Sequence, residues 1–281
     1  MKILIVSLPD TYNGLDLSGH DVTYHTEGVH LPSANNYVAS IADEYDLVIN
    51  NVPSIETPSN GIGNTSASAN LELCKWATRQ KAEELGFLLP TVLEECTLNT
   101  VSTSHTNTVF LKPKDSSLHR WHTCWKIPAG TDIENHNNNF PPNVPAYVEE
   151  DIQHDIEGGC IFTMREGSYT IVKTQGYTSR GDEKLFSGAT PWKDGGVGDL
   201  TSSQETLLID ACSTWLDYAA TLGGTYEGEI CVGIKGTDLY WFEQNSRRGT
   251  FGSLTGSGQD WLDSLRLDVT KASSISWDFN F

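Results

Sequence analysis

The stretch from Gly228 to Gly249 reads Gly-Glu-Ile-Cys-Val-Gly-Ile-Lys-Gly-Thr-Asp-Leu-Tyr-Trp-Phe-Glu-Gln-Asn-Ser-Arg-Arg-Gly, and it leaves the backbone few choices. Two apolar runs, Ile230 to Ile234 and Leu239 to Phe242, flank Lys-Gly-Thr-Asp, a segment of turn residues. That pattern predicts an antiparallel hairpin. Side chains alternate along a strand, so Glu243, Asn245 and Arg247 are expected on one face at its end. A carboxylate and an amide oxygen two residues apart suit a hard, oxygen-loving ion such as Mg²⁺. A guanidinium beside them can hold a carboxylate or phosphate by two parallel hydrogen bonds. An exposed polar strand end would carry the same residues, so the rest of the chain has to decide.

The chain before it begins with a parallel-sheet pattern. Ile3 to Ser7 is a short apolar run, His20 to His25 suits a second strand, and Asp46 to Asn50 a third, with a helix predicted over Tyr37 to Asp43. Strand and helix in alternation imply a small open α/β sheet. Ser7-Leu-Pro-Asp-Thr-Tyr follows the first strand in place of Gly-x-Gly-x-x-Gly, so this sheet is not expected to cradle a nucleotide. With 281 residues the chain can bury a sizeable core and divide into two or three units. Its 18 basic and 37 acidic residues give a net charge of −19, which repels phosphate backbones and anionic membranes. Neither nucleic acid nor membrane is an expected partner. Six cysteines without a Cys-x-x-Cys pair, and an N-terminal apolar run, Lys2 to Val6, too short for a signal peptide or membrane span, lead us to expect reduced thiols in a soluble, cytoplasmic protein.

The middle of the chain carries further marks. Gly63 to Thr91 contains Leu73, Ala77 and Leu85 among charged residues and predicts one helix stopped by Gly86, with Lys75 near its start. Val109-Phe-Leu-Lys112-Pro is a strand ending in lysine, and Ala146-Tyr-Val-Glu149-Glu150-Asp-Ile152 an apolar run closing in acids, with Glu157 beyond. Asp115 to Trp125 has His119, Arg120 and His122 but no glycine, and residues 135–142 read as a loop. Cys160 to Met164 and Tyr169 to Lys173 predict another hairpin. Asp182-Glu-Lys184 leads to Gly195-Gly196-Val197-Gly198, where consecutive glycines let backbone N–H groups crowd an anion. Thr206 to Leu222 is amphipathic, and a last helix is expected near Asp260 to Leu267.

Taken in order, Lys75, Lys112, the Glu149–Ile152 run and Glu243-x-Asn245 resemble the ATP-grasp ligases. Tyr226-x-Gly228, Asp182-x-Lys184, Gly195-Gly-Val-Gly198 and the Arg247-x-Gly249 ending are similar to their phosphoribosylamine–glycine ligase branch. The resemblance covers about residues 63–265; the flap segment lacks the glycines that the family usually carries there. It implies a small N-terminal open α/β domain (1–63), then an ATP-grasp fold of two lobes. Residues 64–108 would form the linker helix and start of that fold, 109–150 its small lobe, and 151–281 its large lobe. It further implies that Lys75, Lys112, Glu149, Glu150, Ile152 and Glu157 contact ATP, and that Glu243 and Asn245 hold Mg²⁺ or Mn²⁺. Lys184, Gly195, Gly196, Gly198 and Arg247 would bind substrate, and Arg247, Lys112 and Asp182 would serve the chemistry. The activity implied is ATP-dependent joining of glycine to an amine such as phosphoribosylamine, through an acylphosphate, in purine biosynthesis. A ligase for another amine, or a non-catalytic ATP-binding module, is the alternative.

Overall fold

The computed structural model describes residues 1–7, 12, 14–29, 32–101, 105–115, 124–131, 143–177, 197–198, 200–247, 252–257, 259, 261–262, 265 and 276–279. The first sheet is parallel, in the order β3 (Asp21–His25), β1 (Lys2–Val6), β4 (Leu47–Asn50), β5 (Gly61–Gly63). Ile3 and Ile5 of β1 pack with Trp261, Leu262 and Leu265, while Leu4 and Val6 pack on the other side with Val38 and Ala42. Both faces are covered, which is why the strand reads as one continuous apolar run. The first helix, α1, spans Pro32–Ile41 and continues as a 3₁₀ turn to Glu44, so it begins earlier than the predicted Tyr37. Proline suits a first helical position because its φ is preset and the missing N–H would have had no partner there.

The single helix expected before Gly86 is two helices. α2 (Ser66–Leu73) is opened by Thr65 and Ser68 in a capping box, and α3 (Lys75–Glu84) follows after a break at Cys74, whose φ of −100° and ψ of 69° lie outside the helical region. The Leu71 carbonyl near the break accepts from Thr78 Oγ1 at 3.0 Å. Gly86, at φ 84°, closes α3 as expected.

Two antiparallel sheets follow. The smaller runs β6 (Val92–Thr97), β9 (Pro145–Glu150), β7 (Val109–Pro113), β8 (Trp125–Ile127). The larger runs β12 (Val197–Gly198), β11 (Ser168–Tyr177), β10 (Ile156–Arg165), β13 (Thr225–Lys235), β14 (Asp238–Asn245). Helix α4 (Ser202–Ala220) lies on one face, burying Leu208, Cys212, Trp215 and Leu216 against Cys160, Phe162, Ile230 and Val232. A fourth, small sheet joins β2 (Leu15–Asp16) to β15 (Gly252–Ser257) and β16 (Ser276–Phe279). Of the predicted last helix, Trp261, Leu262 and Leu265 are helical and buried against the first sheet. No described helix is long and apolar enough to cross a membrane.

The predicted hairpin over Ile230 to Phe242 is β13–β14, turning at Gly236 with φ 60°. Its ladder carries a bulge: Cys231 pairs with Glu243 but Val232 pairs with Trp241, so Phe242 is the extra residue. Arg247 is not on the strand, as the alternation had placed it. β14 ends at Asn245, and Arg247 lies on the bend beyond. Gly228 of β13 leaves no room for a side chain, because a Cβ there would sit 2.7 Å from the Asn245 carbonyl oxygen and press on the Phe162 ring. Gly228→Ala should therefore lower unfolding stability by about 1–3 kcal/mol in urea denaturation; an unchanged midpoint would contradict this packing.

Candidate functional site

The face of the large sheet opposite α4 carries the site. Cross-strand register puts Asn245 beside Glu229, and Glu243 beside Cys231 at the end of a row that continues to Gly159 and Gln175. The end of the small sheet meets this face through β7, β9 and the segment leaving β9. Between them is a cleft of about 650 Å³, including its open mouth. Phe110, Ile152 and Phe242 are among its apolar walls, and Lys112, Glu149, Glu150, Asp151, His154, Glu157, Cys124 and Glu243 supply polar groups. An apolar slot of this size with a few convergent polar groups suits a small planar ligand. Phe242 keeps its place because Gly233 has no side chain; a Cβ there would press on the ring and come within 3.0 Å of Ile152 Cδ1.

Every sequence-predicted cation described here meets a carboxylate. Lys75, first residue of α3, donates to Glu243 on β14. Lys112 on β7 pairs with Glu149 on β9, which also accepts from Arg79 Nη1 at 2.9 Å. Arg79, one turn after Lys75 on α3, further donates to the Pro90 carbonyl and stacks toward the Tyr147 ring at 5.8 Å. Glu149 is only 2 % exposed, which two cations around one carboxylate make tolerable. Burial works against the charge on Lys112, and Glu149, with Tyr147 and Cys124, together more than reverse it, so its pKa is raised. Arg247 Nε donates to Glu72 at 2.8 Å. Burial opposes this charge too, and Glu72, then Glu243 and Glu229, outweigh it, leaving the pKa of Arg247 raised.

The acidic run after β9 divides its work. Glu150 Oε1 accepts from the Thr91 N–H at 2.9 Å and hydroxyl at 2.7 Å, and these bonds hold its carboxyl below the usual range. The Ile152 carbonyl accepts from Lys235 Nζ at 2.7 Å, so Ile152 has its N–H and its side chain to offer a ligand. His154 lies edge-on to Phe242 at 5.4 Å. Glu157 lines the same cleft from β10.

Thus Lys75, Lys112, Glu149, Glu150, Ile152, Glu157, Glu243 and Asn245 gather around one face, with Arg247 just past the strand end. Gly198 lies in β12, its backbone paired with Gly176. Asp182, Lys184, Gly195 and Gly196 lie outside the described residues, as do His119, Arg120 and His122 of the glycine-poor flap. Among the described residues no group of three or more His, Cys, Asp or Glu is arranged to hold a metal. Glu243 and Asn245 offer two oxygens, with Glu229 opposite Asn245, a set that suits a cation keeping waters and taking phosphate oxygens rather than a full protein cage. Sequence reasoning assigned no role to Glu72, Arg79 or Phe242. Glu72 and Arg79 flank Lys75 by three and four residues, a helical spacing that could have drawn attention to them.

No family model matches the chain, and no curated protein matches it in sequence. Solved structures do match. The phosphoribosylamine–glycine ligase of Thermotoga maritima shares a TM-score of 0.61 at 11 % identity, over 97 % of this chain and 75 % of that one. The D-alanine–D-alanine ligase of Bacillus anthracis, complexed with ATP, gives 0.59 at 12 %, over 88 % and 85 %. The carboxyaminoimidazole ribonucleotide synthase of Aspergillus clavatus, also complexed with ATP, gives 0.59 at 12 %, over 89 % and 71 %. The chain has the ATP-grasp fold. Its structural neighbours are ATP-grasp ligases of several kinds, and the phosphoribosylamine–glycine branch is one among them.

One group in the cleft reports on its electrostatics. Loss of water pushes the Cys124 thiol up to about 12 from an ordinary 9.0; Glu149 and Glu243 add to this, while Lys112 and Lys75 oppose it. The folded chain keeps this proton where the unfolded chain releases it, so the thiol's contribution to stability is complete below pH 9.0 and is lost as pH rises toward about 12. Iodoacetamide should alkylate Cys124 in the folded protein at pH 8 at least about a hundredfold more slowly than a free thiol. Alkylation at the free-thiol rate, followed by peptide mass, would refute this picture of the cleft.

Proposed function

We propose that the protein is an ATP-dependent carboxylate–amine ligase that works through an acylphosphate, with glycine as carboxylate donor and phosphoribosylamine as the first amine to try. The observation that carries this is the convergence of Lys75 and Lys112 on Glu243 and Glu149 beside an apolar slot. The arrangement offers cations to phosphates, a slot to a base, and carboxylate and amide oxygens to a metal, within the ATP-grasp fold. In this reading the adenine lies between Phe110, Ile152 and Phe242, and Glu157 or Glu150 meets the ribose. Lys75 and Lys112 offset phosphate charge. A divalent cation such as Mg²⁺ or Mn²⁺ on Glu243 and Asn245 would draw charge from the phosphate oxygens.

Arg247 grips the substrate carboxylate. One carboxylate oxygen attacks the γ-phosphorus, the bond to the bridging oxygen breaks, and ADP leaves. The amine lone pair then attacks the acyl carbon, phosphate departs with the bonding pair, and the amine proton passes to that phosphate. Glycine as donor rests on Asp182, Lys184 and the Gly195-Gly196-Val197-Gly198 run, whose lack of side chains suits a substrate that has none.

ADP release should be measured with ATP–Mg²⁺, glycine and freshly generated phosphoribosylamine, omitting each in turn, with D-alanine in parallel. Turnover that needs all three components is the expected result. D-alanine-dependent ADP formation would keep the ligase and replace its substrate. Absence of ADP, with ATP still raising the melting temperature, would leave a binding module. A second outcome follows from Lys75 resting on Glu243, because lysine and metal then compete for one carboxylate. Lys75→Met should tighten nucleotide-free Mn²⁺ binding, read by electron paramagnetic resonance, by about tenfold and weaken ATP. Weakening of both would disprove the competition.

A further inference from the structure

Arg247 stands just beyond the end of β14, where no ladder bonds hold the backbone and a long side chain has many rotamers to choose from. A residue meant to meet a small carboxylate needs a fixed position. The structure supplies one through a single buried side chain on another element. Glu72 on α2 is 8 % exposed; its Oε1 accepts from Arg247 Nε and its Oε2 from the Ser246 N–H, both at 2.8 Å. Ser246 is itself locked, donating from Oγ to the Ser68 carbonyl at 2.9 Å and accepting at its carbonyl from Asn64 Nδ2 at 2.5 Å. One carboxylate therefore fixes the backbone of one residue and the guanidinium of the next.

We infer that Glu72 is the positioning residue for Arg247, setting the edge of the guanidinium that meets the carboxylate substrate; this rests on the ligase reading above. The chemistry of the fork explains why. Glu72 takes the Nε edge, and the two terminal nitrogens are then the edge with which Arg247 can make paired bonds to a carboxylate or acylphosphate. Both Glu72 oxygens already accept from protein donors, so Glu72 acts through Arg247 and not on substrate. Its negative charge also stabilises a half-buried cation before substrate arrives. Because α2 immediately precedes Lys75, the same carboxylate ties the substrate-gripping residue to the helix pair that carries a phosphate-facing lysine.

The test uses the full chain with Glu72→Gln, Glu72→Asp and Arg247→Lys. The Arg247 Nε–H resonance, assigned by its loss in Arg247→Lys, should exchange slowly with solvent in the natural protein and at least about tenfold faster in Glu72→Gln. In glycine-dependent ADP release, Glu72→Gln should raise KM for glycine by about tenfold or more while leaving KM for ATP within about twofold. A merely structural role would move both constants together or neither. Glu72→Asp keeps the charge but shortens the arm, and it should show the same split to a smaller degree; it carries the test if Glu72→Gln does not fold. Unchanged exchange, or parallel shifts in both KM values, would overturn the assignment. If the natural protein shows no glycine-dependent ADP release, the ligase reading fails on that result, and the exchange measurement alone decides the Glu72–Arg247 contact.

Discussion

The sidedness of the β13–β14 ladder is the constraint from which the site follows. A regular strand would send Trp241, Glu243 and Asn245 to one face. The bulge at Phe242 breaks that alternation, so Trp241 turns into the core and stacks on Trp215 with ring centroids 4.2 Å apart. Phe242 and Glu243 then both line the cleft. One extra residue thus lets a tryptophan finish the apolar layer against α4 while two neighbours build the site. Gln244 completes the core side by accepting from Trp215 Nε1 at 2.5 Å, so the indole N–H is not left buried and unpaired.

Charge is handled in the same two-sided manner. The chain carries a net −19, a field that would turn away a polyphosphate at long range. Locally Lys75, Arg79, Lys112 and Arg247 gather at one place, each held by a buried or half-buried carboxylate. Such pairs stabilise little when set against an apolar alternative, since desolvation offsets most of the attraction. Their value here is positional. In the proposed ligase reading, a ligand that brings its own negative charge would take over the cations, and a metal would take over the carboxylate that Lys75 releases.

The link between the units combines short polar contacts with one apolar cluster, in which Ile3, Ile5, Leu47 and Ile49 of the first sheet pack with Ile161 of β10. Asn64, Ser68 and Glu72, at the start of the helix pair, bond to Ser246 and Arg247 at the end of β14. Trp261 and Leu262, late in the chain, bury themselves against β1 and β4 of the first sheet, and the Trp261 indole donates to Glu227 on β13 at 3.1 Å.

Much of this could be read from the chain. The parallel first sheet, the hairpin at Gly236, α4 and the order Lys75, Lys112, Glu243-x-Asn245 are local patterns, and local patterns depend on periodicity and turn chemistry that neighbours in sequence supply. The break at Cys74, the bulge at Phe242 and the bend that carries Arg247 were decided elsewhere. Each is stabilised by a partner far along the chain or on another strand: Lys114 receiving the Trp76 N–H at 3.1 Å, Trp215 receiving Trp241, Glu72 receiving Arg247. Sequence determined which residues could do the chemistry, because residue type sets charge and donor atoms. Only the tertiary structure decided which carboxylate each cation meets, because burial and register act between residues that sequence keeps apart.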